Sequence, residues 1–366
     1  SRMLRRTLHR YTDLALTTLL RGIRLYEDGF GDRASLERLV EAVRVTRRED
    51  ALPEVELRWH RVERWGRVLE RHASFRSPAP ELPSESREAH LVVLEPADLD
   101  AGSRPDAVVL LAMTGEEGYL SRRLFASRFL EAGLAVVILE NAFYGLRRPV
   151  GQRGPSLRTV RDQFAMNYAT VVEGRAIAAW LRARGHRRLV LSGYSQGGIM
   201  AAFVSALVPF ETACVPRGAG AAVASIFTEG ALSRAMRWDK LAAELGGRAD
   251  ARAYFEACLS PVRVDLHPPP LATAACILVG ARHDAFVPPH EAEALHRHWP
   301  GSELRWSDRG HVTAAVLGQR QHQDAVLDAL GRGRCEGGCT LVAGGAPAQE
   351  HQRQAPYRLR PGGARA

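Results

Sequence analysis

Residues 189–198, LVLSGYSQGG in one-letter code, constrain this chain more than any other stretch. An apolar run that reads as a buried strand ends in Gly193-x-Ser195-x-Gly197, and a helix-forming stretch from Ile199 to Leu207 follows at once. A strand that turns directly into a helix holds its turn residue in a strained backbone, which is tolerable only where the flanking positions carry almost no side chain. Glycines at 193 and 197 meet that need. The turn lifts the Ser195 hydroxyl off the sheet edge and sets the next backbone N–H, that of Gln196, beside it at a helix N-terminus, where it can stabilise an oxyanion. Such a nucleophile elbow predicts an α/β fold and an acid and a histidine later in the chain, in that order.

Both follow. Asp284 lies in a loop that leaves the apolar run 275–279, and His311 sits after the strand-like 303–306, with Gly310 before it. In a triad, His311 takes the Ser195 proton while Asp284 holds the imidazole in the useful tautomer. His283 is the nearest rival, but it adjoins Asp284 in an extended loop and points elsewhere. His296 and His298 are two apart in an expected helix, 291–299, and share no face. No metal-ligand spacing such as H-E-x-x-H occurs, so the sequence implies neither a metal nor an organic cofactor. The second oxyanion donor is expected in the loop after the third strand, 107–112, where Thr114 or Gly115 offers a backbone N–H and glycines at 115 and 118 allow close approach.

Several further segments narrow the reading: 139–149 with its Glu140-Asn141 and Tyr144-Gly145-x-Arg147-x-Pro149, the run 125–137 before it, 226–233, and 299–305. With the elbow, acid and histidine they resemble the α/β-hydrolase superfamily and, over roughly residues 4–330, the branch of α/β hydrolase domain-containing protein eighteen. The resemblance implies an α/β-hydrolase fold, a mostly parallel central sheet flanked by helices. It also implies a lipid or ester hydrolase associated with acyl removal from membrane phospholipids, with Ser195, Asp284 and His311 as the triad and Thr114-Gly115 in the oxyanion loop. Tyr194 and Gln196 flank the serine where relatives carry other residues.

A chain of 366 residues with 46% hydrophobic residues suits one large domain with appendages. The expected division is a helical N-terminal extension at 1–50, a hydrolase domain at 51–330 with a helical lid inserted at about 227–270, and a Gly-, Ala-, Pro- and Arg-rich disordered basic tail at 331–366. The formal charge of +9 sits at the ends, +5 over residues 1–24 and +4 over 331–366, which leaves the catalytic body neutral. Basic ends on a neutral body argue against a nucleic-acid groove. Asp13 is the lone acid among six arginines in the first 24 residues. Five cysteines follow no disulfide framework, which points to a reducing, cytoplasmic compartment, although Cys335 and Cys339 could pair in the tail. No apolar run reaches membrane-spanning length, and the arginine-rich start is unlike a secretory signal.

The apolar spacing of Leu4, Leu8, Tyr11, Ala15, Leu19 and Ile23 predicts an amphipathic helix over 4–26, and a second helix is expected over 34–45. Both suit packing on the body, and the first also suits peripheral contact with an anionic membrane. Early strands are expected at 55–69 and 90–95, a strand at 135–140, a long helix at 157–184 and a strand near 212–216. Lid helices are expected at 231–245 and 251–258, broken at Gly246-Gly247. The candidate substrate-binding residues are Tyr194, Tyr144, Arg147, Phe227 and Trp238: the two tyrosines near the serine and the following loop, Arg147 with Arg148 for a phosphate or carboxylate, and the lid aromatics for an acyl chain. Arg122 and Arg123 offer a weaker version of the same anion contact.

The expected chemistry is hydrolysis of a carboxylic ester, a lipid or phospholipid acyl ester foremost, through an acyl-enzyme. An acyltransferase using the same intermediate, a small-molecule esterase or peptidase, and a catalytically dead scaffold are the alternatives.

Overall fold

Alternation along the strands builds the molecule. In β4 (Ala107–Leu111) and β5 (Ala135–Leu139) every residue is buried, so both faces of the sheet are covered. Val108, Leu110, Val136 and Ile138 pack on one face against α2 (Leu120–Glu131) and α10 (Gln319–Arg332). Val109, Leu111, Val137 and Leu139 face the opposite way, toward α3 (Val160–Ala183) and α4 (Gln196–Leu207), with α1 (Arg33–Val45) packed on α3. The structure is a computed structural model and describes Thr12, Asp13 and residues 24–99, 102 and 104–332. By its contacts the chain divides into residues 1–334 and 335–366, the second part wholly outside the described residues.

The remaining strands are β1 (Arg58–Trp65), β2 (Val68–Arg76), β3 (Glu88–Pro96), β6 (Leu189–Tyr194), β7 (Ala213–Arg217), β8 (Ile277–Ala281) and β9 (Glu303–Ser307). One nine-stranded sheet runs in the order β1-β2-β3-β5-β4-β6-β7-β8-β9. β1, β2 and β3 pair antiparallel, β3 joins β5 antiparallel, and the strands from β5 to β9 are parallel. The mostly parallel sheet flanked by helices is the expected architecture.

Three expectations need correction. The strand expected over 55–69 is the first arm of a hairpin: Trp65 pairs with Val68 across Gly66-Arg67, and Gly66 takes a φ of 58° that suits a tight turn. This hairpin places the strand 107–112 fourth rather than third. The first helix does not reach Tyr26, because Leu25 pairs with Met236 through Leu25 N–H to Ala235 O and Arg237 N–H to Leu25 O, both 3.0 Å, and Tyr26 adopts a φ of 67°. Most of that helix, the tail and the Cys335–Cys339 pair lie outside the described residues. The same pairing at Met236 splits the helix expected over 231–245 into a single 3-10 turn, Ala231–Arg234, and α6 (Trp238–Glu244).

The insertion between β7 and β8 also holds α5 (Ala224–Thr228) and α7 (Arg248–Leu259), with Gly246 at φ 77° in the break before α7. Two short helices follow β8 and β9: α8 (Pro289–His298) and α9 (His311–Leu317). Cys214, Cys258 and Cys276 are free and buried. Among the described residues no helix is long and apolar enough to cross a membrane.

Candidate active site

The chain leaves β4 toward β5 and leaves the adjacent β6 toward β7, in opposite directions, so a crevice opens between the carboxyl ends of β4 and β6. Loops after β4, β6, β8 and β9 meet at this end of the sheet. Ser195 follows β6 directly and holds φ 54°, ψ −121°, a conformation that costs about 1–3 kcal/mol in a non-glycine residue. Packing enforces it. A Cβ on Gly193 would strike the Gly197 backbone, and one on Gly197 would strike the Leu111 carbonyl at the end of β4. Ser195 N–H donates to Arg217 O at 2.8 Å, which ties the elbow to β7 as well.

The loop after β4 is fastened to the elbow through side chains. Thr114 Oγ1 donates to Gln196 Oε1 at 2.9 Å, and Gln196 Nε2 donates to Asn167 Oδ1 at 2.6 Å. Of the two candidate donors in this loop, Gly115 N–H is engaged, donating to the Tyr144 hydroxyl at 3.2 Å. Among the described residues the N–H groups of Thr114 and Gln196 donate to no protein acceptor.

Asp284 and His311 come together as the sequence implies. Asp284 Oδ2 lies 2.6 Å from His311 Nδ1, while Oδ1 accepts the N–H groups of Phe286 and Val287, both at 2.8 Å. The imidazole is packed on both sides, by the Phe286 ring with centroids 5.0 Å apart and by the Tyr194 ring at the same separation. Burial alone would lower the His311 pKa, but the charge and hydrogen bond of Asp284, with the charge of Asp13, outweigh it and raise the group above its ordinary value. His283 turns away to Asp308 Oδ1 at 2.9 Å. No hydrogen bond to the Ser195 hydroxyl is present among the described residues, an openness common in unliganded sites.

The five substrate-binding candidates are all buried in supporting contacts. Arg147 is fully buried, donating from Nη1 to Glu173 Oε2 and to the Glu140 carbonyl, each at 2.8 Å, so its charge is neutralised inside the fold and is closed to a ligand. Arg148 pairs with Glu117, Arg123 with Glu70, and Arg122 donates to the Leu110 carbonyl at 3.1 Å. The Tyr144 hydroxyl accepts the Gly115 N–H of the loop after β4, and the Tyr194 hydroxyl donates to the His311 carbonyl. Phe227 and Trp238 pack on Phe255, with ring centroids 5.7 and 5.9 Å apart, and Phe227 also meets Tyr26 at 6.4 Å. These aromatics belong to the hydrophobic core that also holds Val109, Leu111, Val137 and Leu139 of the sheet.

Four residues that contact the site escape sequence reasoning: Asp13, Asn167, Phe286 and Arg217. Each is brought in by tertiary packing, and only Asp13 carried a signal, as the lone acid in a basic stretch. Among the described residues the one cluster of potential metal ligands, Glu63, Glu70 and His72, lies on the β1–β2 hairpin, includes no residue of this site, and has Glu70 already paired with Arg123.

A sequence profile of the family described as alpha/beta hydrolase domain containing 18 matches residues 23–256 and 248–332. Among solved structures, acetyl xylan esterase 1 from Thermoanaerobacterium sp. is similar at a TM-score of 0.54 and 14% identity, over 84% of this chain and 98% of that one. An acetyl xylan esterase from Paenibacillus sp. R4 matches at a TM-score of 0.47 and 13% identity, over 84% and 99% of the two chains. At such identities the likeness concerns the fold, which is that of the α/β hydrolases.

Proposed function

This chain belongs to the family of alpha/beta hydrolase domain containing 18, and from that premise we propose that it is a serine hydrolase of carboxylic esters. The observation that carries the reading is the 2.6 Å bond between Asp284 and His311 at the strand ends that also present a strained Ser195. Ser195 attacks the ester carbonyl and His311 takes its proton. Asp284 fixes the Nδ1–H tautomer and supports the imidazolium. The N–H groups of Gln196 and Thr114 receive the oxyanion, with Thr114 preferred over Gly115 because the latter already bonds to Tyr144. The alcohol leaves with the proton from His311, and water then attacks the acyl-enzyme with His311 again as base.

Within that class we favour a lipid acyl ester, a phospholipid foremost. The family resemblance supports this choice, as does a cavity of about 410 Å³ beside Asp284 whose lining includes Gly230, Ser233, Arg234 and Arg282. Arg234 and Arg282, set beside Glu229 and Asp284 in the same wall, are the cationic groups there that a phosphate would meet. The similarity to an acetyl xylan esterase makes short acyl groups the second substrate class.

The test is a graded series of p-nitrophenyl esters, from acetyl to palmitoyl, run beside phosphatidylglycerol and phosphatidylcholine vesicles, with free fatty acid measured. Release of fatty acid from vesicles, faster for the anionic lipid, is the expected result. Turnover confined to acetyl esters would move the assignment to small soluble substrates. Added alcohol acceptors that divert the acyl group from water would reveal an acyltransferase.

A further inference from the structure

A second carboxylate stands behind the imidazole. Asp13 is completely buried, although it comes from the opposite end of the chain to the N–H groups that donate to it. Its Oδ2 accepts the N–H of His311 at 2.7 Å and of Ala285 at 3.2 Å, and its Oδ1 accepts the N–H of Val312 at 3.0 Å. His311 and Val312 open α9, and the first N–H groups of a helix have no partner within it. Asp13 therefore supplies an N-terminal cap from a distant segment, with a charge that also suits the positive end of the helix dipole. Ala285 is the residue after Asp284. One side chain thus fastens the loop bearing the acid to the helix start bearing the histidine.

Gly310 makes room for this contact, since a Cβ there would come within 2.7 Å of Asp13 Oδ2. The space that the missing side chain leaves is taken by a carboxylate. Burial raises the Asp13 carboxyl above the ordinary range, while its bonds to Val312, His311 and Ala285 act in the opposite sense. The three N–H donors and burial thus oppose each other, and burial, with the nearby charge of Asp284, sets the net direction upward.

The charged and titratable groups around His311 divide cleanly. Among the described residues, Asp284 and Asp13 favour its protonated form. Tyr194 meets it by ring and hydroxyl, and burial holds that phenol neutral. His322 stacks on Tyr194, and burial, with the charges of Arg217 and Arg309, holds it down to about 3, so it stays neutral. Arg217 lies over the Phe125 ring at 4.0 Å and faces Tyr194 from farther away, at 5.9 Å.

We propose that Asp13 is a positioning residue of the active site: it holds the His311 backbone and the acid loop in one register, and its fixed charge supports the imidazolium formed when Ser195 attacks. This rests on the triad reading given above. A consequence is that the segment carrying Asp13 belongs to the catalytic apparatus, in addition to any membrane contact its arginines make.

The experiment uses the full chain with Asp13→Asn and Asp13→Glu, and reads three quantities: the pH profile of p-nitrophenyl butyrate hydrolysis, the split between kcat and KM, and the His311 imidazole titration by NMR, assigned against His311→Gln. For Asp13→Asn, kcat should fall about 10- to 100-fold with KM within about twofold, because slight misplacement of a base is costly while ester binding is untouched. The acid limb and the NMR titration of His311 should both move about half a unit lower, since a negative charge beside the imidazolium is gone. Asp13→Glu keeps the charge with poorer geometry, so kcat should fall while the limb stays in place. A folded Asp13→Asn with wild-type kcat and limb would overturn the proposal, and so would a lowered Tm accompanied by an unmoved His311 titration. If Asp13→Asn does not fold, Asp13→Glu decides: unchanged kcat would equally overturn it. Should the wild type hydrolyse no ester, the triad reading fails while the NMR titration still reads the Asp13–His311 coupling.

Discussion

The catalytic end of the sheet and the insertion between β7 and β8 are neighbours built on different physics. Around Ser195 and His311, position is set by directional contacts: carboxylate oxygens on backbone N–H groups at Asp284 and Asp13, and glycines pressed against backbone at 193 and 197. In the insertion, Phe255 meets Phe227, Trp238 and Tyr26 ring to ring, Phe227 also meets Tyr26, and burial rather than direction holds them. Directional contacts fix atoms to fractions of an ångström and add little net stability. Aromatic burial stabilises strongly and tolerates small shifts. Chemistry and stability should therefore separate between the two regions under mutation.

The largest effect belongs to Ser195→Ala, which should lower kcat by at least about 10⁴-fold and leave thermal unfolding near that of the wild type, because only a partly exposed hydroxyl is lost. Asp284→Asn should cost about 10⁴-fold in kcat through the wrong histidine tautomer, measured as kcat with the fold checked by circular dichroism. Full activity in that variant would point to another acid. On the other side of the comparison, Phe255→Ala should destabilise by about 3–5 kcal/mol in denaturant titration and change kcat of the folded enzyme little. A large kcat loss there at unchanged stability would mean that the insertion's aromatics reach the substrate after all.

The smallest effect is a position on the pH axis. On the proposed mechanism His311 is neutral when it takes the serine proton, and its pKa is raised, so activity should fall as pH drops through a value above the unperturbed imidazole figure of about 6.5. His322 cannot produce that limb, since it is held near 3. An acid limb at or below about 6.5 in kcat/KM would contradict the charge arrangement around His311.

The same division explains what the sequence made legible. The elbow, the acid and the histidine are local signals: glycine spacing, a strand ending, a loop residue, in an order that the fold requires. The central strands such as β4 and β5 are legible because both faces are covered and the apolar runs are continuous. Less visible was the hairpin turn at Gly66-Arg67, where strand-like residues continue across the turn. The helix expected to reach Tyr26 stops short because Leu25 is captured by Met236, a contact that no local pattern announces. Arg147 read as a ligand-binding cation because its loop lies at the right end of the sheet. Its partner Glu173 is in the middle of α3, and only the packing reveals the pair. Asp13 is the extreme case, bonded to a residue 298 positions away.

The most direct measurement is labelling by a fluorophosphonate probe, with the modified residue located by peptide mass, in wild type, Ser195→Ala and Asp284→Asn. The account predicts rapid phosphonylation of Ser195 in the wild type, none in Ser195→Ala, and markedly slowed labelling in Asp284→Asn. Labelling at another residue, or a wild type that stays unlabelled while folded, would contradict the assignment of Ser195 as an activated nucleophile.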